Sequence, residues 1–341
     1  WNRRQRQMCI RDREEAARAE IERAIELNSN PNRFKGMLAM LDFQTGAQDQ
    51  AITDLEALLI DADPAREDTQ AIKVTLARML VQTGNRVGAR VQIEEILEQN
   101  RSNVEALKMQ ASWHLQADEV DAAIANLRKA LDAAPEDIQV MNLMHDAYSR
   151  LGDANLAREY LALAVDVSGS APDPSLRYAR LLISEERYLP AEDVILPALQ
   201  QDPRNIQLLA LLGQVYLRLD DAPRATQVID TLGRIDSEEA SNLANGLQAE
   251  LLSRQSGSEE ALAFLENLAA RADAGVRERL VLMRARLQVG EVDEARDIAE
   301  ELVAENPDSL GLKLALSSAQ IAAGDLESAE ATLREITAAA P

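Results

Sequence analysis

The chain has 341 residues, 46% of them hydrophobic and only 3% aromatic, so any core must be built from Leu, Ile, Val and Ala. Acidic residues outnumber basic ones 58 to 36, for a formal net charge of −22, which argues against general nucleic-acid binding and against attraction to anionic lipid. No apolar run approaches the length of a membrane span. Length alone would point to about two or three globular domains.

In chain order, residues 1–13 are read as a non-native segment: Trp1–Asp12 resembles the translation of a transposon-type sequencing adapter, the alternative being a real basic arm. On that reading Cys9 drops out and cysteine usage says nothing about compartment. The native N-terminus then lies outside the sequence, with any signal peptide or lipid anchor. Glu14–Leu27 reads as a helix without a first-helix partner, followed by a turn at 28–32. The first helix of a full unit carries Phe34, Leu38, Leu41 and Phe43. Asp61–Thr69, with Pro64, reads as an exposed loop holding four extra residues. Val167–Pro174 is the most linker-like stretch, read as an ordinary inter-repeat turn rather than a hinge. Pro197 falls inside a helical pattern, where it removes a backbone hydrogen bond. Two extra residues are assigned to a turn at Ser253–Ser258.

One column organises these segments. Ala17, Ala51, Ala89, Ala123, Ala157, Ala191, Ala225, Ala261, Ala295 and Ala329 recur at spacings of 34, 38, 34, 34, 34, 34, 36, 34 and 34. Apolar residues follow at +4 and +7, as in Leu127 and Ala130, which marks one face of a helix. A small side chain there lets two helices cross closely without glycine's helix penalty. Five residues before the alanine lies a turn column of Gly46, Gly84, Asp118, Gly152, Glu186, Asp220, Gly290 and Gly324, suited to ending a helix through a left-handed residue. Twelve residues after it stand Pro135, Pro203, Pro307 and Pro341, which stop the second helix.

A 34-residue period of helix, turn, helix and stop resembles the tetratricopeptide repeat. The clearest copies are Ile138–Ala171 and Ile206–Glu239, the latter with Leu209, Leu212, Gly213, Tyr216, Ala225 and Ile229 in the family's columns. The resemblance implies an all-α solenoid, a superhelix of antiparallel helix pairs. It would have about nine full repeats plus an orphan N-terminal helix, nineteen helices in all, in one array over 14–341. Units start near Asn32, Gln70, Val104, Ile138, Pro172, Ile206, Ala240, Val276 and Leu310.

Chemistry finds little support in the residues. His114 and His145 are the only histidines, both read as core side chains, and zinc needs three or four matched ligands. Acid pairs such as Glu94–Glu95 and Glu300–Glu301 read as solvated faces, and Trp113 as a core residue. No phosphate loop or nucleophile motif is present. The expectation is a non-enzyme with neither cofactor nor metal.

The resemblance implies a concave surface, lined by first helices, that holds peptides. Inward and rim positions of those helices carry nine basic residues against three acids, Glu105, Asp146 and Asp173, an excess of six on an acidic chain. Arg78, Lys108, Arg150, Arg177, Arg180, Arg218 and Arg284 are the partner-binding candidates, with Arg33 and Arg277 completing the nine. The expected partner is an acidic or amphipathic protein or peptide, and one extended segment is expected to reach Arg150, Arg180 and Arg218. The lysine–asparagine clamp of some family members is not reproduced, because Ser112 stands where the asparagine would and Asp173 intrudes. The expected function is a protein–protein interaction scaffold of bacterial type. Alternatives are a component of a bacterial envelope, exopolysaccharide or protein export assembly, and an accessory domain cut from a larger enzyme. The compartment stays open between cytoplasmic and periplasmic or envelope-associated.

Overall fold

The alanine column sits where two helices of a pair approach, and burial follows from that position. In the computed structural model, which describes residues 3–28, 31–271 and 274–339 and the side chains of 14–338 within them, Ala51, Ala89, Ala123, Ala191, Ala225 and Ala295 are fully buried. Ala157, Ala261 and Ala329 are buried too. Ala17 is the exception: it is exposed, because no first helix covers it among the described residues. Trp1, Asn2, the side chains of residues 3–13 and Pro341 of the stop column lie outside the described residues.

The described residues form nineteen α-helices and no strand. The chain divides into two compact units, Trp1–Gly169 and Ser170–Pro341. The division falls within the turn after α9, inside the stretch that the sequence marks as linker-like. The first unit holds α1 (Arg3–Leu27), α2 (Asn32–Gln44), α3 (Gln48–Leu59), α4 (Glu67–Gln82), α5 (Arg86–Gln99), α6 (Val104–Gln116), α7 (Val120–Ala133), α8 (Ile138–Leu151) and α9 (Ala154–Val167). The second holds α10 (Pro172–Ser184), α11 (Tyr188–Gln201), α12 (Ile206–Arg218), α13 (Ala222–Gly233), α14 (Glu238–Gln255), α15 (Ser258–Ala269), α16 (Val276–Val289), α17 (Val292–Glu305), α18 (Leu310–Ala322) and α19 (Leu326–Ala339). From α2 onward, each even-numbered helix is the first of a pair and packs on the helix that follows it.

Local sequence sets the boundaries. Asn85, Asn103, Asp137, Asp153, Asn205 and Asp221 each accept a hydrogen bond from a backbone N–H of the first turn they precede, satisfying donors that the helix leaves orphaned. At the pair turns all eight residues of the turn column have positive φ, including Asp118 (62°), Glu186 (58°) and Asp220 (55°). The geometry is thus imposed by the repeat even where glycine is absent, at a backbone cost glycine would avoid. Pro135, Pro203 and Pro307 stand in turns two residues beyond the last helical residue.

Three expectations are corrected in detail. Helix α1 starts at Arg3 rather than Glu14. Helix α4 starts at Glu67, so the four-residue insertion is shared between the exposed loop and an extra helical turn. The two extra residues near Ser253–Ser258 lengthen helix α14, which runs from Glu238 to Gln255, instead of widening a turn. Pro197 stands inside α11, which continues past it to Gln201.

The core is a chain of leucine, isoleucine and alanine clusters. In the second unit the largest joins α10 to α14 through Leu182, Ile195, Leu208, Leu212, Val215 and Leu247. Between α12 and α14 the packing is close: a Cβ built on Gly213 would lie 2.5 Å from Cδ1 of Leu247. A side chain at 213 would therefore have to displace Leu247, a constraint of packing rather than of backbone conformation.

Candidate partner-binding face

On the first helices Arg78, Arg150, Arg180, Arg218 and Arg284 are exposed, whereas Lys108 is buried. In the first unit Arg78, Lys108 and Arg150 are already engaged. Arg78 on α4 forms an ion pair with Glu105 on α6. Lys108 on α6 is buried, and its Nζ lies 2.6 Å from Glu105 Oε1, 2.9 Å from Asp137 Oδ2 and 2.9 Å from Gln139 Oε1. Burial by itself raises the Asp137 carboxyl, but the Lys108 ammonium and the backbone N–H groups of Val140 and Gln139 outweigh it. The net effect is a pKa below the usual carboxylate value. Arg150 on α8 donates to the Leu115 carbonyl near the end of α6. Sequence spacing lays these three cations along one face; the structure spends them on tying neighbouring repeats together.

The hollow that Arg78 and Lys108 border, about 390 Å³, also takes in Val81, Met109, Trp113 and Leu143. Trp113 is half-buried, packs against the core of α2–α6 and has the Arg90 guanidinium 5.9 Å from its ring centroid. A second hollow of about 510 Å³ lies between α2 and α4, with Met37, Met40, Ala71 and Ile72 as its apolar lining and Arg33 and Glu67 at its border.

The second unit differs. Arg177 on α10 is half-buried. Arg180 is exposed and donates to Gln207 Oε1 on α12 at 3.1 Å, and Gln207 in turn donates to Glu239 on α14. Arg218 and Arg284 are both exposed and form no ion pair or hydrogen bond among the described residues. They border one cleft of about 560 Å³ between α14 and α16, floored by α15. The acid in its wall, Glu250, is taken up by Arg254 at 3.1 Å. Arg277 borders a further hollow of about 520 Å³ together with Glu238 and Glu239. Arg150 falls in the first unit and Arg180 and Arg218 in the second.

The remaining candidates have structural partners. His114 Nδ1 is 2.6 Å from Glu119 Oε2, and His145 Nδ1 is 2.9 Å from the Ala157 carbonyl. Each thus serves one helix pair, and the two do not converge on a common ligand. Glu94 is exposed and Glu95 is paired with Lys73 at 2.5 Å. Two polar networks escaped the sequence reading. Buried Glu192 on α11 accepts from the Tyr216 hydroxyl at 3.1 Å and pairs with Arg224, whose guanidinium lies 4.3 Å from the Tyr216 ring centroid and also pairs with Asp221. Burial, then the Glu192 charge, push the Tyr216 hydroxyl pKa up. Buried Gln70 accepts from Asn100 (3.2 Å) and Asn103 (3.0 Å), pinning the start of α4 to that of α6. Residue spacing carries no signal for either network, since Glu192 meets residues 24 and 32 positions away and Gln70 meets residues 30 and 33 positions away.

Residues 286–341 match the family model described as tetratricopeptide repeat, and the helix pairs of both units have that repeat's build. Residues 31–164 match the model described as ChAPs (Chs5p-Arf1p-binding proteins). No curated protein sequence matches the chain. Among solved structures, the Pseudomonas aeruginosa protein pilF is 20% identical over 70% of this chain and 99% of its own, with a TM-score of 0.48. Yeast Tom70 is 17% identical over 89% of this chain and 66% of its own, with a TM-score of 0.48. YrrB, whose description is a tetratricopeptide protein with an unusual peptide-binding site, is 19% identical over 54% of this chain and 98% of its own, with a TM-score of 0.41.

Proposed function

We propose that this chain is a non-enzymatic protein–protein interaction scaffold that holds acidic or amphipathic peptide segments of partner proteins against its first helices. The tetratricopeptide-type fold supports the scaffold reading. The observation that carries the peptide reading is the position of the open space. Four hollows of about 390–560 Å³ are bounded chiefly by first helices, on α2 and α4, on α4, α6 and α8, and twice on α12, α14 and α16. Hollows of this size suit side chains of a bound segment, and apolar linings such as Met37, Met40 and Trp113 supply burial that surface ion pairs cannot. Methionine adapts its shape to what it touches, which fits a surface that accepts varied segments. Among the described residues no helix is long and apolar enough to cross a membrane.

Photo-crosslinking amino acids placed on first helices, at Ser112, Gln214 and Gln288, and on second helices, at Glu94 and Glu300, test the reading against a displayed random-peptide library. Selected peptides are expected to cross-link from the first-helix positions. Cross-linking confined to Glu94 and Glu300 would refute a first-helix groove.

A further inference from the structure

We propose that the cleft between α14 and α16 anchors a peptide segment in which one large apolar side chain is flanked by carboxylates; this deepens, and rests on, the peptide-binding reading above. The cleft is built by residues too small to close it. Helix α14 turns Gly246, Ala249 and Ser253 toward it, at spacings of three and four that share one helical face. Helix α16 answers with Val281 and Ala285, and Leu262 of α15 lies at the floor. Gly246 is exposed and a Cβ built on it would touch nothing within 4 Å, so the cleft is open to solvent on this side. An apolar floor of this kind gains more from a large apolar side chain than from water.

Charge selects the flanking residues. Arg218 comes from the end of α12 and Arg284 from the middle of α16, so they approach the cleft from different helices. Neither has a protein partner among the described residues, and the one acid in the wall, Glu250, is held by Arg254. On a chain of net charge −22, this leaves a local excess of positive charge over an apolar floor. Arginine's planar fork accepts a carboxylate bidentately, and two such forks favour an acidic residue on either side of the inserted side chain. Exposed pairs of this kind are individually weak, so the arginines set orientation and encounter rate while the apolar side chain supplies residence.

The test uses a fluorescein-labelled peptide, Gly-Ser-Glu-Phe-Glu-Ser-Gly, and fluorescence anisotropy with the full chain at low salt. The unaltered peptide is expected to bind. Replacing its Phe by Ala, or both Glu by Gln, weakens binding about tenfold. On the protein, Ser253→Trp fills the exposed mouth of the cleft, and the double variant Arg218→Glu with Arg284→Glu reverses its charge; each gives a loss of similar size, with unchanged thermal melts showing that the fold is intact. Arg234→Glu, exposed at the end of second helix α13 in the same unit and outside the cleft, leaves binding unchanged, and Arg180→Glu probes the first helices away from the cleft. If the cleft variants bind as well as the original while Arg180→Glu weakens binding, the cleft assignment falls and a first-helix groove stands. If binding follows the arginines but ignores the Phe and Ser253→Trp, the apolar anchor is refuted. If no version of the peptide binds, the cleft assignment also falls, and the cross-linking experiment judges the groove separately.

Discussion

Against α12, helix α14 presents Leu247, which drops into the room left by Gly213; against α16 it presents Gly246, Ala249 and Ser253, and a cleft of about 560 Å³ stays open. The same helix is thus closely packed on one side and gapped on the other. Both sides use a glycine, for opposite reasons. At 213 glycine admits a neighbouring side chain; at 246 it leaves space that nothing in the chain occupies. The cations follow the same division. Lys108 and Arg78 in the first unit are consumed by Glu105 and Asp137, whereas Arg218 and Arg284 beside the cleft are unpaired among the described residues. Basic residues on one face of a repeat array are therefore not equivalent: some join repeats and some are available to a partner.

The strongest way to break this comparison is at Gly213. Replacing it by Leu forces a branched side chain onto Leu247 and is expected to destabilise the second unit by about 3 kcal/mol, read as a shift in the denaturant midpoint. Lys108→Ala comes next. It strips buried partners from Asp137 and Glu105 and is expected to cost about 2 kcal/mol, measured in the same way. Gly246→Ala runs in the opposite direction: it adds a methyl group to open space within a helix and is expected to raise stability by about 0.5–1 kcal/mol. The smallest effect belongs to Arg218→Ala and Arg284→Ala, whose midpoints are expected to stay within about 0.5 kcal/mol of the original. A large loss there would mean that the two arginines hold the fold together as Lys108 does.

The pair architecture was legible because a small residue is demanded at every close crossing and the demand repeats. Seven of the nine expected unit starts coincide with the first residue of a helix, from Asn32 through Val104, Ile138, Pro172, Ile206 and Val276 to Leu310. The two misses, α4 and α14, are the units with inserted residues, where the extra length went into helix as well as turn. The binding face was legible only as a list of residue types. Whether Arg78 is free depends on Glu105, 27 positions away on the next first helix, and the alanine frame does not say which acid meets which base. The cleft was hidden for a similar reason. It arises from small residues on α14 facing medium-sized ones on α16, and each set alone reads as an unremarkable helix face.

The most direct test is a methyl-resolved nuclear magnetic resonance titration of the full chain with the Glu-Phe-Glu peptide. Leu262, Leu265, Val281 and Val289 border the cleft, and Leu38 and Leu41 lie on α2 in the other unit. The account predicts that the four cleft methyl groups shift in proportion to bound peptide and that Leu38 and Leu41 do not. Shifts at Leu38 and Leu41 with none at the cleft would contradict it.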